Sequence, residues 1–167
     1  MTESATTAST ATAAVDTAGP SAAPAHDAAA FDRLVAFYEH LSEAGVGRFA
    51  EFYSPDAYFK DPFNEVRGIG AIQRIFQHMF RQVQGPRFVV TQRFCGSDGV
   101  MLIWQLRYRT RWLKPADQVM HGSTHLRFAP DGKVCYHRDY WDTGEELYAR
   151  VPLVGCIVRG VARALAA

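Results

Sequence analysis

GPRFVVTQRFCGSDGVMLIWQLRYRTRW, Gly85 to Trp112, is the stretch where the chain changes its hydrophobic period. Upstream, Ile72, Ile75, Phe76, Met79, Phe80 and Val83 recur near the helical period, which predicts a helix over 69–84. Gly85-Pro86 stops it, because proline lacks the amide hydrogen and disfavours helix in the residue before it. From Arg87 onward side chains alternate instead. A strand over 87–95 leads to Gly96-Ser97-Asp98-Gly99, whose composition suits a hairpin loop. A long strand over 100–112 follows. It sets Trp104, Leu106, Tyr108 and Trp112 on one face, and Arg107, Arg109 and Arg111 on the other. Lys114-Pro115-Ala116-Asp117 turns the chain, and further strands are predicted over 118–128 and 133–141.

Before this switch, Phe31, Leu34, Val35, Phe37, Tyr38 and Leu41 mark a first helix over 31–43, with Asp27 as a possible cap. A short second helix covers 46–53, ended by Ser54-Pro55-Asp56. A short extended piece, 57–60, leads into Asp61-Pro62-Phe63-Asn64. Beyond the strands, 151–165 reads as an amphipathic helix with Val154, Ile157, Val158, Val161 and Leu165 on its apolar side. Helices gathered ahead of an antiparallel sheet make an α+β domain. The expectation is a cone: a long curved antiparallel sheet wrapped by the N-terminal helices around an apolar interior, with a further helix at the C-terminal end.

The domain divides from its flanks by composition. Residues 1–28 are mostly Ala, Thr and Ser, and contain no Leu, Ile, Phe, Tyr or Trp. Such a segment buries too little apolar area to offset its ordering entropy, so it reads as a disordered tail. It has neither the basic start nor the apolar run of a secretory signal. Residues 29–149 form the domain, and 150–167 a helix that packs on the domain or on a second copy. The net charge of +1 gives no electrostatic case for nucleic acid. No apolar run is long enough to span a bilayer. Cys95, Cys135 and Cys156 are scattered and odd in number, so a reducing cytoplasmic setting is the default.

The segment His137-Arg138-Asp139-Tyr140-Trp141-Asp142 carries the most chemistry. Strand alternation makes His137 and Asp139 face-mates, about 7 Å apart along the strand. If that face is buried, an imidazole and a carboxylate share a cavity wall, where they act as an acid–base pair or as a structural ion pair. Asp61, held extended before Pro62, is either a base or an ordinary turn aspartate. Tyr38 sits on the inner side of the first helix, and its phenol either reaches a cavity or is satisfied within the core. His121 and His125 are i, i+4, which on a strand is about 13 Å and too far for one metal ion. Ser123 lacks the sharp turn of a nucleophile elbow. The arginine stripe suits a solvated face or a dimer contact. The last helix suits packing or dimerisation, since Arg150, Arg159 and Arg163 are few for a strongly basic face.

Phe37-Tyr38, the run Phe52 to Ala57, Phe59-Lys60-Asp61-Pro62, Gly68 to Phe76, His125-Leu126-Arg127-Phe128 and the His137 segment together resemble the nuclear-transport-factor-2-like superfamily, in its SnoaL-like and ketosteroid-isomerase-like branch. The resemblance spans about Phe31 to Trp141. It implies the cone-shaped fold and a small hydrophobic ligand. It implies a proton-transfer isomerase or polyketide-cyclase-like reaction that needs no cofactor. It places Asp61 as the proton-shuttling carboxylate and Tyr38 as the oxyanion donor. His137 and Asp139 become a second acid–base pair. Thr124 stands where steroid isomerases carry a protonated aspartic acid, and a neutral hydroxyl there departs from that chemistry. The pocket walls are expected from Phe63, Phe76, Phe80, Trp104, Thr124 and Trp141. Other members of this fold are non-catalytic binders of apolar molecules, or epoxide hydrolases that use an Asp-Arg-Asp set. A homodimer through the open sheet face is also implied.

Overall fold

The computed structural model describes residues 28–111 and 116–166. The expected tail, the Asp27 cap, Trp112 and the Lys114-Pro115 part of the turn lie outside the described residues. Helix α1 (Ala28–Glu39) is followed by a 3-10 turn (Ala44–Arg48), the short α2 (Phe49–Phe52), β1 (Tyr53–Lys60) and β2 (Glu65–Arg67). Next come α3 (Ile69–Gln82) and four long strands: β3 (Val83–Gly96), β4 (Gly99–Thr110), β5 (Asp117–Phe128) and β6 (Val134–Tyr140). The chain continues through α4 (Thr143–Glu146), a 3-10 turn (Tyr148–Arg150) and α5 (Val154–Leu165).

The six strands form one curved, unclosed sheet in the order β2-β1-β6-β5-β4-β3. β1 runs parallel to β6, and every other neighbouring pair is antiparallel. The architecture is therefore the expected α+β cone, with α1 and α3 inside the curve of the sheet.

The alternation in β4 holds. Val100, Leu102, Trp104 and Leu106 are buried, while Arg107 and Arg109 are exposed. The Gly96–Gly99 hairpin also forms. Gly99 adopts φ 128°, and a Cβ there would lie 2.0 Å from the carbonyl oxygen of Leu126, so glycine is required.

Two prolines fall inside strands rather than at helix ends. Pro55 lies in β1, where pairing with β6 is interrupted between Tyr53 and Tyr58. Pro86 lies in β3, where pairing with β4 is interrupted between Gln84 and Arg87 and Gly85 takes φ 55°. A bulge leaves the missing amide hydrogen without a ladder partner to disappoint. Tyr53 consequently belongs to a strand, not to the second helix. The first helix also ends at Glu39, four residues short of its expected limit. The Glu39 carboxylate accepts a hydrogen bond from the Val90 amide (3.0 Å), tying α1 to β3.

The core joins the inward faces. Leu34, Val35, Tyr38, Phe49, Tyr53, Phe59, Ile72, Leu126 and Val134 are almost fully enclosed. No helix among the described residues is long and apolar enough to cross a membrane.

Candidate functional site

His137 and Asp139 do point inward from β6. They lie opposite Leu126 and Thr124 of β5, and His137 also lies beside Phe59 of β1. Spacing along a strand leaves their Cβ atoms too far apart to touch, but the two side chains lean toward each other. Nε2 of His137 is 2.9 Å from Oδ1 of Asp139. His137 is 2% exposed and Asp139 retains 16% of its side-chain surface, so the imidazole is sealed while the carboxylate is not.

The imidazole is one link in a longer chain. Its Nδ1 is 2.6 Å from the Tyr53 hydroxyl and 3.3 Å from that of Tyr38, and the two phenols are hydrogen-bonded to each other. On the other side, the indole N–H of Trp104 donates to the Thr124 hydroxyl (2.7 Å), which donates to Oδ1 of Asp139.

Proton positions follow from this network. Burial pushes the Tyr38 phenol well above its usual pKa, helped by Tyr53 and by the charge of Asp139. Burial likewise raises Tyr53, partly opposed by its bond to Tyr38 and assisted by Asp139. Both phenols are therefore neutral donors at ordinary pH. An ionised Asp139 only accepts, so His137 donates from Nε2 and accepts at Nδ1 from Tyr53, which accepts from Tyr38. Two donor chains, Tyr38–Tyr53–His137 and Trp104–Thr124, converge on one oxygen of Asp139. Its other oxygen, Oδ2, has no hydrogen-bond partner among the described residues.

Asp139 lines a cavity of about 920 Å³. The walls are mainly apolar: Phe59, Phe76, Met79, Phe88, Trp104, Leu106, Met120 and Trp141. Polar groups gather at two ends. Asp61, Asn64 and Asp139 occupy one, and Tyr108, Gln118, Glu146 and Arg150 the other. Thr124 beside Asp139 and Gln118 at the far end are six residues apart on β5, so the ends are separated by about 20 Å.

An ion pair between the buried Glu146 and the exposed Arg150 stands at the far end. Glu146 is 5% exposed and accepts from the His121 amide (3.0 Å) and from Arg150 (2.7 Å). Arg150 also donates to Gln118 (2.8 Å) and to the Val119 carbonyl (3.0 Å). Together they clamp the segment after β6 against β5.

Of the residues expected at the site, Asp61, Phe63, Phe76, Trp104, Asp139 and Trp141 line the cavity. Four do not. Tyr38 is enclosed, with its hydroxyl turned to Tyr53 and His137 rather than into the cavity. His137 lies behind Asp139. Thr124 is 4% exposed and serves as the post between Trp104 and Asp139. Phe80 packs against the core from the flank of α3, because Ile75, Phe76, Met79 and Gln82 form the cavity face of that helix.

Asp61 reaches the cavity, but its carboxylate closes a turn. Oδ1 accepts from the amides of Phe63 (2.7 Å) and Asn64 (2.6 Å), and the Asn64 side-chain amide spans both oxygens (3.0 and 2.9 Å).

Sequence reading missed Tyr53, which was assigned to a helix end, and the Glu146–Arg150 clamp. The i, i+4 acid–base spacing of the latter was its available signal. Gly122 was missed as well. A Cβ there would lie 2.3 Å from the Trp104 ring, so only glycine lets the indole lie across β5 and reach Thr124. Among the described residues, no group of three or more His, Cys, Asp or Glu side chains is arranged to hold a metal ion.

The family model for the SnoaL-like domain matches residues 34–137. No curated protein matches the sequence. Among solved structures, the chain is similar to a protein with a ketosteroid-isomerase-like fold from Catenulispora acidiphila, solved with trimethylamine. That match has 12% identity and TM-score 0.60, and covers 71% of this chain and 88% of that one. It is similar to a candidate SnoaL-like polyketide cyclase from Jannaschia sp. CCS1, with 16% identity, TM-score 0.60, and 71% and 89% covered. It is also similar to AclR, a candidate hydroxylase from Streptomyces galilaeus, with 21% identity, TM-score 0.58, and 82% and 91% covered. At such identities the structural likeness speaks to the fold alone. With the family model matched over residues 34–137 and the curved sheet in place, the chain belongs to the SnoaL-like domain family.

Proposed function

We propose that this protein is a cofactor-independent proton-transfer enzyme of the isomerase or cyclase type, acting on an apolar carbonyl compound, with Asp139 as the general base. The observation that carries this reading is the division of labour between the two oxygens of Asp139. Oδ1 takes hydrogen bonds from His137 and Thr124, which fix the carboxylate in place. Oδ2 is left without a partner at the wall of an apolar cavity. A carboxylate oriented in this way and set against apolar walls can abstract a proton next to a carbonyl without first reorganising its surroundings.

The roles follow from the contacts. Asp139 Oδ2 takes the proton and returns it at the new position or to the cyclised product. His137 and Thr124 are positioning residues, and Tyr53 and Tyr38 hold the imidazole tautomer. Trp104, Phe88, Leu106 and Met120 exclude water and pack the substrate. Asp61 is assigned a turn-closing role beside the base, because its carboxylate is already engaged by Phe63 and Asn64.

The epoxide-hydrolase reading finds an Asp61, Arg138 and Asp139 grouping at a shallow surface depression beside the apolar cavity, with the arginine outside that cavity. The cavity-lining arginine, Arg150, sits at the end away from Asp61 and Asp139. Arg138 lies over the Tyr140 ring at 4.7 Å. The binder reading keeps the cavity and gives the same network a packing role, and one experiment separates it from catalysis.

Exchange of α-protons into D2O is followed by NMR on a panel of cyclic and polycyclic ketones. Wild type is expected to exceed Asp139→Asn by about 10²- to 10⁴-fold, the usual contribution of a positioned base. Asp61→Asn should stay within about tenfold of wild type. Equal rates for wild type and Asp139→Asn would end the proton-transfer reading and leave the binder.

A further inference from the structure

We propose that the far end of the cavity is a second binding subsite, which takes a neutral carbonyl oxygen at the end of the substrate remote from the reacting carbon. The inference deepens the proton-transfer reading and rests on it only for placing the reacting carbon at Asp139.

Strand register builds the wall between the two ends. Tyr108 lies opposite Gln118 across β4 and β5, Leu106 opposite Met120, Trp104 opposite Gly122, and Leu102 opposite Thr124. Alternation puts all of them on the inner face. The wall therefore runs from a polar pair, over aliphatic and indole surface, to the Thr124 hydroxyl that supports Asp139. A ligand lying along it is apolar in the middle and polar at both tips.

Hydrogen-bond accounting identifies the far tip. The acceptors there are already engaged. Gln118 Oε1 accepts from Arg150 (2.8 Å), and Glu146 accepts from the His121 amide (3.0 Å) and from Arg150 (2.7 Å). Arg150 also approaches the Tyr108 hydroxyl, whose pKa burial raises and the guanidinium lowers in part. Arginine only donates, so the phenol oxygen is the acceptor in that contact. What remains without a partner among the described residues is a set of donors: the Tyr108 O–H, the Gln118 side-chain N–H groups and the Arg150 N–H groups beyond those bonds. Donors alone select an acceptor and reject an apolar isostere that leaves them unpaired. Charge narrows the choice. Glu146 neutralises Arg150, so a carboxylate would give up its hydration for no net opposite charge, and a neutral carbonyl fits.

Length follows from β5. The Val119 carbonyl accepts from Arg150 (3.0 Å), and Val119 lies five residues before Thr124, about 17 Å along an extended strand. About 3 Å of contact distance at each tip leaves about 11 Å between the reacting carbon and the remote oxygen. A cavity of about 920 Å³ has room for a rigid fused-ring skeleton of that length.

The test measures affinities of the full chain for three rigid probes by isothermal titration calorimetry. Each probe is a fluorene with an acetyl group at one end. The other end carries a second acetyl group, an isopropyl group or a carboxylate. Wild type should bind the diacetyl probe about tenfold or more tighter than the isopropyl probe, and at least as tightly as the carboxylate probe. Tyr108→Phe should cut the acetyl-over-isopropyl preference about threefold, and Arg150→Gln about fivefold. Damage to the fold weakens both probes alike, so the preference is the readout, and Tyr108→Phe leaves the Glu146–Arg150 pair in place. The proposal is overturned if the diacetyl probe does not bind, or binds no better than the isopropyl probe. It is equally overturned if the carboxylate probe binds tenfold tighter than the diacetyl probe, or if both variants keep the wild-type preference. Exchange of the acetyl α-protons on the same probes reports on the base separately. Equal exchange in wild type and Asp139→Asn, with the preference retained, ends the proton-transfer reading and keeps the subsite.

Discussion

Replacing Tyr53 by Phe removes one oxygen from the centre of the buried network, and the outcome is set by what Tyr38 can do next. Tyr53 is 0% exposed, and its hydroxyl joins Tyr38 to His137 Nδ1. An orphaned buried acceptor costs about 1–3 kcal/mol. Here the Tyr38 hydroxyl already stands 3.3 Å from the same nitrogen and can take over the donation. Tyr53→Phe should therefore cost only about 1 kcal/mol, near the net value of a single hydrogen bond. Tyr38→Phe leaves the Tyr53–His137 bond intact and should cost about 0.5–1 kcal/mol. The double variant leaves His137 Nδ1 with neither donor and should cost about 3 kcal/mol, exceeding the sum of the singles by about 1 kcal/mol. Urea titrations at pH 7, followed by circular dichroism and tryptophan fluorescence, give the three values. The m-value should be unchanged, since the surface exposed on unfolding is the same. Additivity within about 0.3 kcal/mol, or a Tyr53→Phe cost equal to that of the double variant, would refute the idea that the two phenols share one acceptor.

Two other measurements bear on the same site. The phenols of Tyr38 and Tyr53 have folded-state pKa values above the usual 10.0, so the native state holds its protons where the unfolded chain loses them. Their stabilising contribution is complete below pH 10 and declines above it. The slope reaches about 1.4 kcal/mol per pH unit for each phenol. Urea midpoints measured between about pH 9 and 12 should fall steeply above 10, and a flat profile there would contradict the burial of both hydroxyls. Gly122→Ala should cost about 1–3 kcal/mol, because the new methyl meets the Trp104 ring. It should also slow α-proton exchange by displacing the Trp104–Thr124 support of Asp139. A variant as stable as wild type would mean that the indole does not lie against Gly122.

Much of the sheet was legible because strand alternation is a local property. The even-numbered face of β4 and the sharing of one face by His137 and Asp139 need only the period of the backbone, whereas the inward direction of that face was implied by the family resemblance. The Gly96–Gly99 turn needs only glycine's freedom at positive φ. The choice between Asp61 and Asp139 was not legible. It depends on which carboxylate has its lone pairs taken, and hydrogen bonds from Phe63 and Asn64 take those of Asp61 only once the loop has closed. Tyr53 was misplaced because a proline two residues later looks like a helix stop, whereas a bulge in the parallel β1–β6 pair accommodates it.

The sequence by itself determined the period switch, the α+β order of elements and the identity of the face that His137 and Asp139 share, since each follows from backbone geometry repeated over a few residues. Tertiary structure alone decided the rest. It brought Tyr38, Tyr53, His137, Thr124 and Trp104 from four strands and a helix to a single carboxylate. It also turned the apolar side of α5 away from the domain. Amphipathy states that a helix has an apolar face, but what that face meets depends on contacts made far away in the chain.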